Sequence, residues 1–375
     1  MIIVHVITCL NDGGAEAVLY RLCLFDKKNT HVVISLQGEG KYGPMLMSKG
    51  ISVYCLGLTR NMLMLHRIFK LIPLLKKIEP DVVQTWLYHA DLMGGLVAKI
   101  LGIKNICWGI RSADFDYGSI GKSTFFIVRL NALLSRWIPV YIISCSNKAV
   151  DTHASIGYAK NKFCVIRNGY DLHEFMPNLK EVAVLRDEQV GISKNSIVLG
   201  MVARFDPLKN HKLLVTALGL VSKRGYVFCC LLVGTGVSAD NLELKKWLEQ
   251  YRLHNRVLLM GQRTDIPSVM NLIDIHILSS SGEAFPNVLG EAMACGTPCV
   301  TTDVGDTAEI VGDTGWVVPA ESAEALSDAI IKAIDEFYNE PDSWMKRRQN
   351  ARERIKDNFG IEKMVKKYSQ VWQSL

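Results

Sequence analysis

Long hydrophobic runs are missing from this chain of 375 residues. No stretch of about 18 uninterrupted apolar residues occurs, so the sequence predicts no transmembrane helix. The first residues, MIIVHVITCLNDGG, lack the basic segment of a secretion signal and reach Asp12 early, and we interpret them as a first β-strand. Since 49% of the residues are hydrophobic, the chain can fill well-packed cores, and its length suits two α/β domains.

Paired cysteines and metal-binding spacings are also missing. The ten cysteines include no CxxC pair, and the histidines show no zinc-site spacing, so we interpret the cysteines as buried thiols of a reducing cytosol and expect no metal and no cofactor. Without a GxGxxG fingerprint, a dinucleotide site is only weakly supported. Aromatic and basic residues do not alternate as they do in nucleic-acid-binding modules, so we expect no nucleic-acid partner.

Positive charge is concentrated in the first half. Residues 1–170 contain 20 Lys and Arg against 10 Asp and Glu, whereas the remainder contains 23 against 27. The net charge of +6 is therefore the balance of +10 and −4. A basic half attracts phosphates, nucleic acid or an anionic membrane surface.

Short β-branched segments alternate with helix-length segments along the whole chain, which is typical of parallel sheets with crossover helices. The predicted strands are IIVHVIT, HVVISL, SVYCL, DVVQTW, NICWGI, VYIISC, IVLGMVA, VFCCLLVG, RVLLMG, DIHIL, PCVTT and GWVV. The alternation restarts near residue 196, after the turn-rich segment 165–178, and the chain turns helical from Ser322. We predict a doubly wound α/β fold with Rossmann-like domains at 1–170 and 171–355, and a C-terminal helix at 356–375 that packs back on the first domain.

Ligands bind beyond the carboxyl ends of parallel strands, so the loops there are the candidate sites. In CLNDGGAEAVLY, Gly13 and Gly14 allow close backbone approach at a helix N-terminus, which suits an anion, or the loop is a plain strand–helix turn. In ARFDPLKNH, Arg204 ends a strand and Lys209 starts the next helix. The two cations suit a diphosphate, or they are merely solvated.

Three further loops follow apolar strands. LLVGTGVS and LLMGQRTDIP provide Gly234 and Gly261, which are weak signals alone. The segment SSSGEAFPNVLGEAMACGTPCVTTDVGD carries two glutamates around a Phe-Pro-Asn turn that opens a helix. Main-chain N–H groups near Asn287 would point at an anion, Glu283 could accept hydrogen bonds from sugar hydroxyls, and Glu291 could hold a ribose diol. The competing interpretation is that both glutamates only complement the helix dipole.

Five segments together resemble the retaining glycosyltransferases of family 4, a group with the GT-B fold of two Rossmann-like domains facing a central cleft. GEAFPNVLGEAMACGTPCVTTDVGD is similar to the EX7E signature of that family, VARFDPLKNH to its phosphate loop, and IRNGYDLHEF to its interdomain linker. NDGGAE resembles its N-terminal Gly-Gly loop, and LVGTG resembles a GxG strand end. The segments occur in the right order, cover nearly the whole chain and resemble bacterial cell-surface polysaccharide glycosyltransferases.

The resemblance implies a role for each matching position. The catalytic residues would be His89, Arg204, Lys209 and Glu283. The donor nucleotide sugar would be bound by Gly13, Gly14, Gly234, Gly261, Phe285, Asn287, Val288, Leu289 and Glu291. Glu16 and Arg111 are expected to bind the acceptor. The implied mechanism is metal-independent transfer with retention and without a protein nucleophile, in which the leaving diphosphate takes the proton of the acceptor.

Some positions depart from the family pattern or suggest other chemistry. Arg167 stands where proline is usual in the linker, and Asp206-Pro207 replaces the common pair of the phosphate loop. Neither change removes a charge that the mechanism needs. Residues 114–116 spell DxD, a metal–nucleotide motif of a different glycosyltransferase fold, and we interpret them as loop carboxylates. His5 and His276 lie in predicted strands and are interpreted as core histidines.

Two segments of the basic half, 61–80 and 121–139, mix apolar with basic residues. Each could lie on an anionic membrane surface, or each is an ordinary core-facing helix with a solvated basic side. We therefore hypothesise a cytoplasmic enzyme, peripheral on the inner face of the cell membrane. It would move a hexose or N-acetylhexosamine from a nucleotide sugar to a glycan or a polyprenyl-diphosphate-linked acceptor in O-antigen, capsule or similar polysaccharide biosynthesis.

Other functions remain open. A GT-B sugar-nucleotide epimerase would consume the donor without any acceptor, and a phosphorylase would need a pyridoxal-type lysine site that we do not identify. A non-catalytic nucleotide-sugar-binding protein is the remaining alternative, although the intact glutamates and cations argue against it. UDP is the expected nucleotide because UDP-sugars are the usual donors of similar proteins, with GDP-mannose second.

Overall fold

The computed structural model describes residues 1–58, 68–113, 121–178 and 196–375. These residues form two compact units, each with its own parallel sheet. The N-terminal unit consists of Met1–Gly169 together with Ile361–Leu375, and the C-terminal unit is Tyr170–Gly360.

The N-terminal unit holds a seven-stranded sheet in the order β3-β2-β1-β4-β5-β6-β7, with every pair parallel. Its strands are β1 Ile2–Ile7, β2 Thr30–Ser35, β3 Ser52–Cys55, β4 Val82–Trp86, β5 Ile106–Ile110, β6 Tyr141–Ser144 and β7 Phe163–Val165. Its helices are α1 Gly14–Phe25, α2 Tyr42–Ser48, α3 Leu71–Ile78, α4 Tyr88–Ile100, α5 Lys122–Leu134, α6 Asn147–Ser155 and, at the end of the chain, α14 Ile361–Gln373.

The C-terminal unit holds a six-stranded parallel sheet in the order β10-β9-β8-β11-β12-β13. Its strands are β8 Val198–Val202, β9 Cys229–Val233, β10 Val257–Gly261, β11 Ile275–Leu278, β12 Cys299–Thr302 and β13 Trp316–Val318. Its helices are α7 His211–Lys223, α8 Leu242–Gln250, α9 Ile266–Leu272, α10 Asn287–Ala294, α11 Thr307–Val311, α12 Ala323–Asn339 and α13 Pro341–Phe359.

Each sheet is the centre of its own hydrophobic core. Strands such as β8 and β9 are buried at every residue, which is why they read as continuous apolar runs rather than as alternating patterns. In the N-terminal unit the last helix contributes Tyr368 and Trp372 to the core around Trp86. In the C-terminal unit the core includes Leu232 and Ile330.

The twelve predicted strands are all present and pair in parallel, which confirms the predicted fold class. One strand, β7, was missed because it has three residues and runs directly into the turn-rich segment. Lys209 does not start a helix as predicted. It ends a short 3-10 turn, Pro207–Lys209, and α7 begins after Asn210, whose side chain accepts a hydrogen bond from the main-chain N–H of Leu213.

Two predicted features fall wholly or partly outside the described residues: the DxD segment 114–116, and the first part of the segment 61–80. In the described part of the chain, no helix is long and apolar enough to cross a membrane.

Candidate active site

Strand order decides which loops meet in each unit. In the C-terminal sheet the chain runs from β8 to β9 and β10 on one side, then returns to the other side of β8 with β11. The loops after β8 and β11 therefore part at a topological switch point, where parallel α/β sheets bind ligands. The N-terminal sheet has the same arrangement at β1 and β4. The predicted residues of loops 203–210 and 279–287, and those of loops 8–14 and 87–89, lie at these two points.

The C-terminal switch point carries an ion pair. Lys209 Nζ lies 2.5 Å from Glu283 Oε1, and Ser280 Oγ donates to the same carboxylate oxygen at 2.7 Å. The side chains of Lys209 and Glu283 are 22% and 10% exposed. The structure thus brings together two residues that the sequence predicts to be catalytic, and a small ligand can still reach them.

The second predicted cation is oriented by a residue that departs from the family pattern. Asp206 accepts a hydrogen bond from Arg204 Nε at 3.1 Å and another from the main-chain N–H of Leu208 at 3.0 Å. Arg204 is 61% exposed, and its terminal nitrogens remain available for a ligand. Asp206 therefore holds the guanidinium of Arg204 through its Nε.

Hydrogen bonds to main-chain carbonyls join these loops. Ser279 Oγ donates to the carbonyls of Lys209 and Asn210, both at 3.1 Å, and the N–H of Gly234 donates to the carbonyl of Gly261 at 2.8 Å. Gly234, at φ +152°, lies so close that a Cβ would be 2.1 Å from the carbonyl oxygen of Ala203. Only glycine permits this approach to the loop that carries Arg204.

A third loop forms a wall beside Glu283. Gly305 has φ +57°, and a Cβ there would lie 2.3 Å from the carbonyl oxygen of Glu283. The N–H of Asp306 donates to the carbonyl of Ala284 at 3.0 Å. The loop 303–306 thus fixes the main chain at Glu283, a role that the sequence analysis did not assign.

Helix α10 begins at Asn287, with Pro286 as its N-cap and no side-chain cap. The side chains of Phe285 and Leu289 are buried, and Phe285 packs edge-on against Phe359 at 5.5 Å. Asn287, Val288 and Glu291 are half-buried. Phe285 and Leu289 can therefore offer a ligand only their main chain, and the donor-binding role that the resemblance implies for them stays a prediction.

The other end of α10 is held by an arginine that the sequence analysis missed. Arg352, on α13, donates to the carbonyls of Phe175, Leu172 and Ala294. A cation at a helix C-terminus also complements the helix dipole. Arg352 joins the chain entering this unit to the helix that carries Glu291. Arg352 is one of many charged residues of α13, so the sequence did not indicate this role.

At the N-terminal switch point, Gly13 is the N-cap of α1 and Glu16 lies in its first turn. Glu16 is buried, folds back over Gly13, and accepts a hydrogen bond from Cys9 Sγ at 3.2 Å. A carboxylate of the chain itself therefore occupies the helix N-terminus, where dipole and N–H groups favour negative charge. Gly14 begins the helix, so both predicted glycines lie at this end.

His89 is held beside a strained residue. Leu87 adopts φ +73° and ψ +154°, a region that is essentially restricted to glycine, and its N–H donates to the carbonyl of Gly109 at 3.0 Å. Helix α4 begins with the next residue, and the predicted catalytic residue His89 is half-buried in its first turn. The main-chain conformation of Leu87 sets the direction in which α4 leaves β4.

Arg111 is anchored on several sides. Its two terminal nitrogens donate to Asn168 Oδ1, at 2.9 Å, and to Tyr368 Oη, and the guanidinium lies 4.5 Å from the centre of the Trp86 ring. Its Nε has no hydrogen-bond partner among the described residues. Arg111 thus connects β4 and the end of the unit's first segment to α14, which limits how far it can turn towards an acceptor.

A buried carboxylate lies close to Arg111. Asp91 accepts hydrogen bonds from Thr85 Oγ1 at 2.5 Å and from the N–H of Gly109 at 3.1 Å. Burial raises the pKa of Asp91 to about 7, although these hydrogen bonds and the charge of Arg111 oppose the shift. Asp91 therefore titrates near neutral pH, and no sequence motif indicated it.

Three buried residues of the N-terminal unit lie close enough to share a metal ion: His5, Cys23 and His31. Hydrogen bonds already occupy both ring nitrogens of His5, since Trp86 Nε1 donates to His5 Nδ1 at 3.1 Å, and His5 Nε2 and His31 Nδ1 are 2.9 Å apart. His31 Nε2 lies 3.3 Å from Asp26 Oδ2. His5 is therefore a hydrogen-bonded core residue, as predicted. His276 is likewise buried.

Two families match this chain in succession. Glycosyltransferase Family 4 matches residues 12–174, and Glycosyl transferases group 1 matches residues 185–356. Together the matches extend over both units. The chain therefore belongs to these glycosyltransferases, as its motifs predicted.

Relatives of known activity are similar along most of the chain. The UDP-Gal:alpha-D-GlcNAc-diphosphoundecaprenol alpha-1,3-galactosyltransferase of Escherichia coli is 24% identical over 84% of this chain and 80% of that protein. The N,N'-diacetylbacillosaminyl-diphospho-undecaprenol alpha-1,3-N-acetylgalactosaminyltransferase of Campylobacter jejuni is 27% identical over 87% of this chain and 89% of that protein. The crystal structure of Anabaena Alr3699/HepE in complex with UDP-glucose has a TM-score of 0.86, 21% identity and full coverage of both chains, and confirms the GT-B fold.

Proposed function

We propose that this chain is a retaining, metal-independent glycosyltransferase. It transfers a hexose or N-acetylhexosamine from a UDP-sugar to a lipid-linked or cell-surface glycan. The observation that carries the proposal is the Lys209–Glu283 pair at the C-terminal switch point, beside Arg204 and the start of α10. Cations, a carboxylate and a helix N-terminus at one strand edge suit a nucleoside diphosphate that carries a sugar.

In this proposal Arg204 and Lys209 bind the diphosphate of the donor. The Arg204 fork takes two phosphate oxygens, because Asp206 occupies only its Nε. Lys209 has three N–H donors, and its bond to Glu283 leaves others for phosphate. The N–H groups at the start of α10 bind a further oxygen, and Glu291 holds the ribose.

Glu283 binds the sugar rather than attacking it. One of its oxygens already accepts hydrogen bonds from Lys209 and Ser280, which lowers its nucleophilicity, while the other can accept a hydrogen bond from a sugar hydroxyl. The acceptor therefore attacks from the face that the diphosphate leaves, and the diphosphate takes its proton. Arg204 and Lys209 stabilise the departing charge, so we expect transfer to continue in EDTA.

The choice of donor and acceptor follows the relatives. The E. coli relative uses UDP-Gal, and Anabaena Alr3699/HepE is found with UDP-glucose, which favours a UDP-sugar for this chain. The E. coli and C. jejuni relatives act on sugars linked to diphosphoundecaprenol. The excess positive charge of residues 1–170 suits such an acceptor at an anionic membrane surface on the cytoplasmic side. Arg111, Glu16 and His89 are the proposed contacts of the N-terminal unit.

A titration of nucleotides tests the donor site. UDP, GDP and ADP are added to the wild type, to Glu291→Ala and to Glu249→Ala, an exposed glutamate on α8 that serves as the control. We expect selective UDP binding that Glu291→Ala weakens and Glu249→Ala leaves unchanged. Preference for GDP would replace the donor with a GDP-sugar. Failure of every nucleotide to bind at millimolar concentration would contradict the proposal.

A further inference from the structure

The outer face of α5 is apolar and exposed. Phe126 is 68% exposed and Leu133 57%, and these residues are seven positions apart, so they lie on one side of the helix. Trp137, in the turn after the helix, is 58% exposed. The other side of α5 buries Val128 and Ala132 and packs against α4. The exposed stripe is therefore not the face that α5 uses for folding.

Cations alternate with these apolar side chains. Arg129 lies between Phe126 and Leu133 along α5, and Arg136 precedes Trp137; both arginines are exposed. Exposed apolar side chains among cations are typical of helices that lie in a membrane interface, where tryptophan is also favoured.

The end of α4 extends this surface. Ile138, which follows Trp137, lies against Gly95 of α4. At the end of the same helix Ile100 is 71% exposed, and the charge of Lys99 acts on Lys162. The end of α4 thus places an exposed apolar side chain and a cation near the basic residues that follow α5.

A basic cavity lies at the C-terminal end of α5. Its volume is about 440 Å³, and it is lined by Arg136, Tyr158, Ala159, Lys160, Asn161 and Lys162. Lys162 Nζ donates to the carbonyls of Arg136 and Pro139, both at 2.7 Å, which fixes this ammonium group and leaves it one N–H. Lys160 forms only a weak ion pair with Asp151, because its Nζ lies 3.5 Å from Asp151 Oδ1 and both side chains are largely exposed. Three cationic residues therefore line a space that suits phosphate oxygens.

We propose that the outer face of α5 docks on a bilayer containing anionic phospholipid, and that the cavity holds the phosphate of one lipid. The helix lies in the plane of the interface with Phe126, Leu133 and Trp137 among the headgroups, while Arg136, Lys160 and Lys162 bind the phosphate. The proposed function gives this surface its purpose, because the acceptor is carried by the membrane. Of the two segments that the sequence suggested, 121–139 carries the proposal, because the structure leaves its large apolar side chains Phe126, Leu133 and Trp137 exposed.

Sedimentation with vesicles tests the proposal. Phosphatidylcholine vesicles with about 30 mol % phosphatidylglycerol are compared with pure phosphatidylcholine at low salt. Arg136→Gln combined with Lys160→Gln should lower the partition coefficient about 30-fold, because each cation near an anionic surface contributes roughly a factor of five. Lys27→Gln combined with Lys28→Gln removes two exposed cations elsewhere in the same unit and should change it less than about twofold.

The apolar part is tested in the same way. Phe126→Ala combined with Trp137→Ala should lower the partition coefficient about tenfold, whereas Leu242→Ala, an exposed leucine of the C-terminal unit, should leave it unchanged. The proposal is overturned if both glutamine pairs lower the partition coefficient equally, if the wild type binds pure phosphatidylcholine equally well, or if the wild type does not bind vesicles at all. It is also overturned if the chain is a dimer in solution and the alanine variants abolish that dimer without affecting vesicle binding. A parallel UDP titration separates the proposals, since vesicle binding without UDP binding rejects only the proposed function.

Discussion

The two units hold their charged candidate residues in different ways. In the C-terminal unit Arg204 is largely exposed, and Lys209 and Glu283 pair with each other where a ligand can reach them. In the N-terminal unit Glu16 is buried over Gly13, and Arg111 is fixed by Tyr368, Asn168 and Trp86. The C-terminal unit presents charges that a ligand can bind, whereas the N-terminal unit uses its charges to fix its own loops.

This difference fits the two substrates of the proposed reaction. A diphosphate is the same in every sugar nucleotide, so a few replaceable ionic contacts bind it, and short motifs suffice to encode them. An acceptor is recognised by shape, which requires loops held in place by long-range contacts. Substitutions in the C-terminal unit should therefore affect donor chemistry, and those in the N-terminal unit should affect stability and the acceptor.

The largest effect is expected for Lys209→Ala. In the proposed mechanism the variant removes a cation that stabilises the leaving diphosphate, so the turnover rate should fall about 10²–10³-fold. Lys212→Ala, an exposed lysine three residues away on α7, is the control and should retain the wild-type rate. A comparison of initial rates with saturating UDP-sugar checks this, and equal losses in both variants would remove Lys209 from the mechanism.

Gly305→Ala should be next. The substitution adds a Cβ that overlaps the main chain of Glu283, in a conformation that already disfavours alanine. We expect a loss on the order of 3 kcal/mol in unfolding free energy, together with weaker UDP-sugar binding. Gly225→Ala has a similar positive φ but open space around it, so it should cost only about 1 kcal/mol and leave binding intact. If Gly305→Ala binds the donor as tightly as the wild type does, loop 303–306 is not part of the donor site.

Arg111→Lys tests the anchored side of the comparison. Lysine keeps the charge but loses the fork that joins Asn168 to Tyr368, so the unfolding free energy should fall by about 2–3 kcal/mol. Tyr368→Phe removes one partner and should cost about half as much. Denaturant unfolding measures both, and the KM values for donor and acceptor show which substrate is affected. A larger change in donor KM than in acceptor KM would contradict the prediction that Arg111 binds the acceptor.

Asp91→Asn should have the smallest effect. The folded pKa of Asp91, about 7, lies above the ordinary value of 3.8, so the folded chain keeps a proton that the unfolded chain releases. The wild type therefore loses stability as the pH rises from about 4 to about 7. Asparagine lacks this ionisation, so the fall in unfolding free energy between pH 6 and pH 8 should be about 1–2 kcal/mol smaller in the variant than in the wild type. Parallel pH profiles of both proteins would exclude Asp91 as the cause.

Much of the fold could be predicted from local patterns. Short segments rich in β-branched and apolar residues, alternating with helix-length segments, predicted twelve strands. Continuous apolar runs such as 198–202 are the clearest of them, because strands covered on both faces need apolar residues. The β7 strand was missed because three residues carry too little pattern. The start of α7 was misplaced because Asn210 adopts φ +48° before the helix, which adds a turn that the sequence does not announce.

The candidate site was predictable only where it depends on neighbours in the chain. Glycines, cations and glutamates at strand ends indicated Lys209 and Glu283. Contacts between distant segments gave no signal: Tyr368 reaches Arg111 across 257 positions and Arg352 reaches Leu172 across 180. The roles of Gly305 and Arg352 therefore became visible only in the structure, and the roles assigned to His89, Glu16 and Arg111 stay predictions.

The most direct test of the account is the configuration of the product. The enzyme is incubated with a UDP-hexose and a sugar-diphosphoundecaprenol acceptor, and the anomeric coupling of the product is measured by NMR. Common UDP-hexoses are α-linked, so the account predicts an α-glycoside whose formation matches the release of UDP and requires the acceptor. A β-glycoside would contradict retention, and conversion of the UDP-sugar without acceptor would identify an epimerase instead.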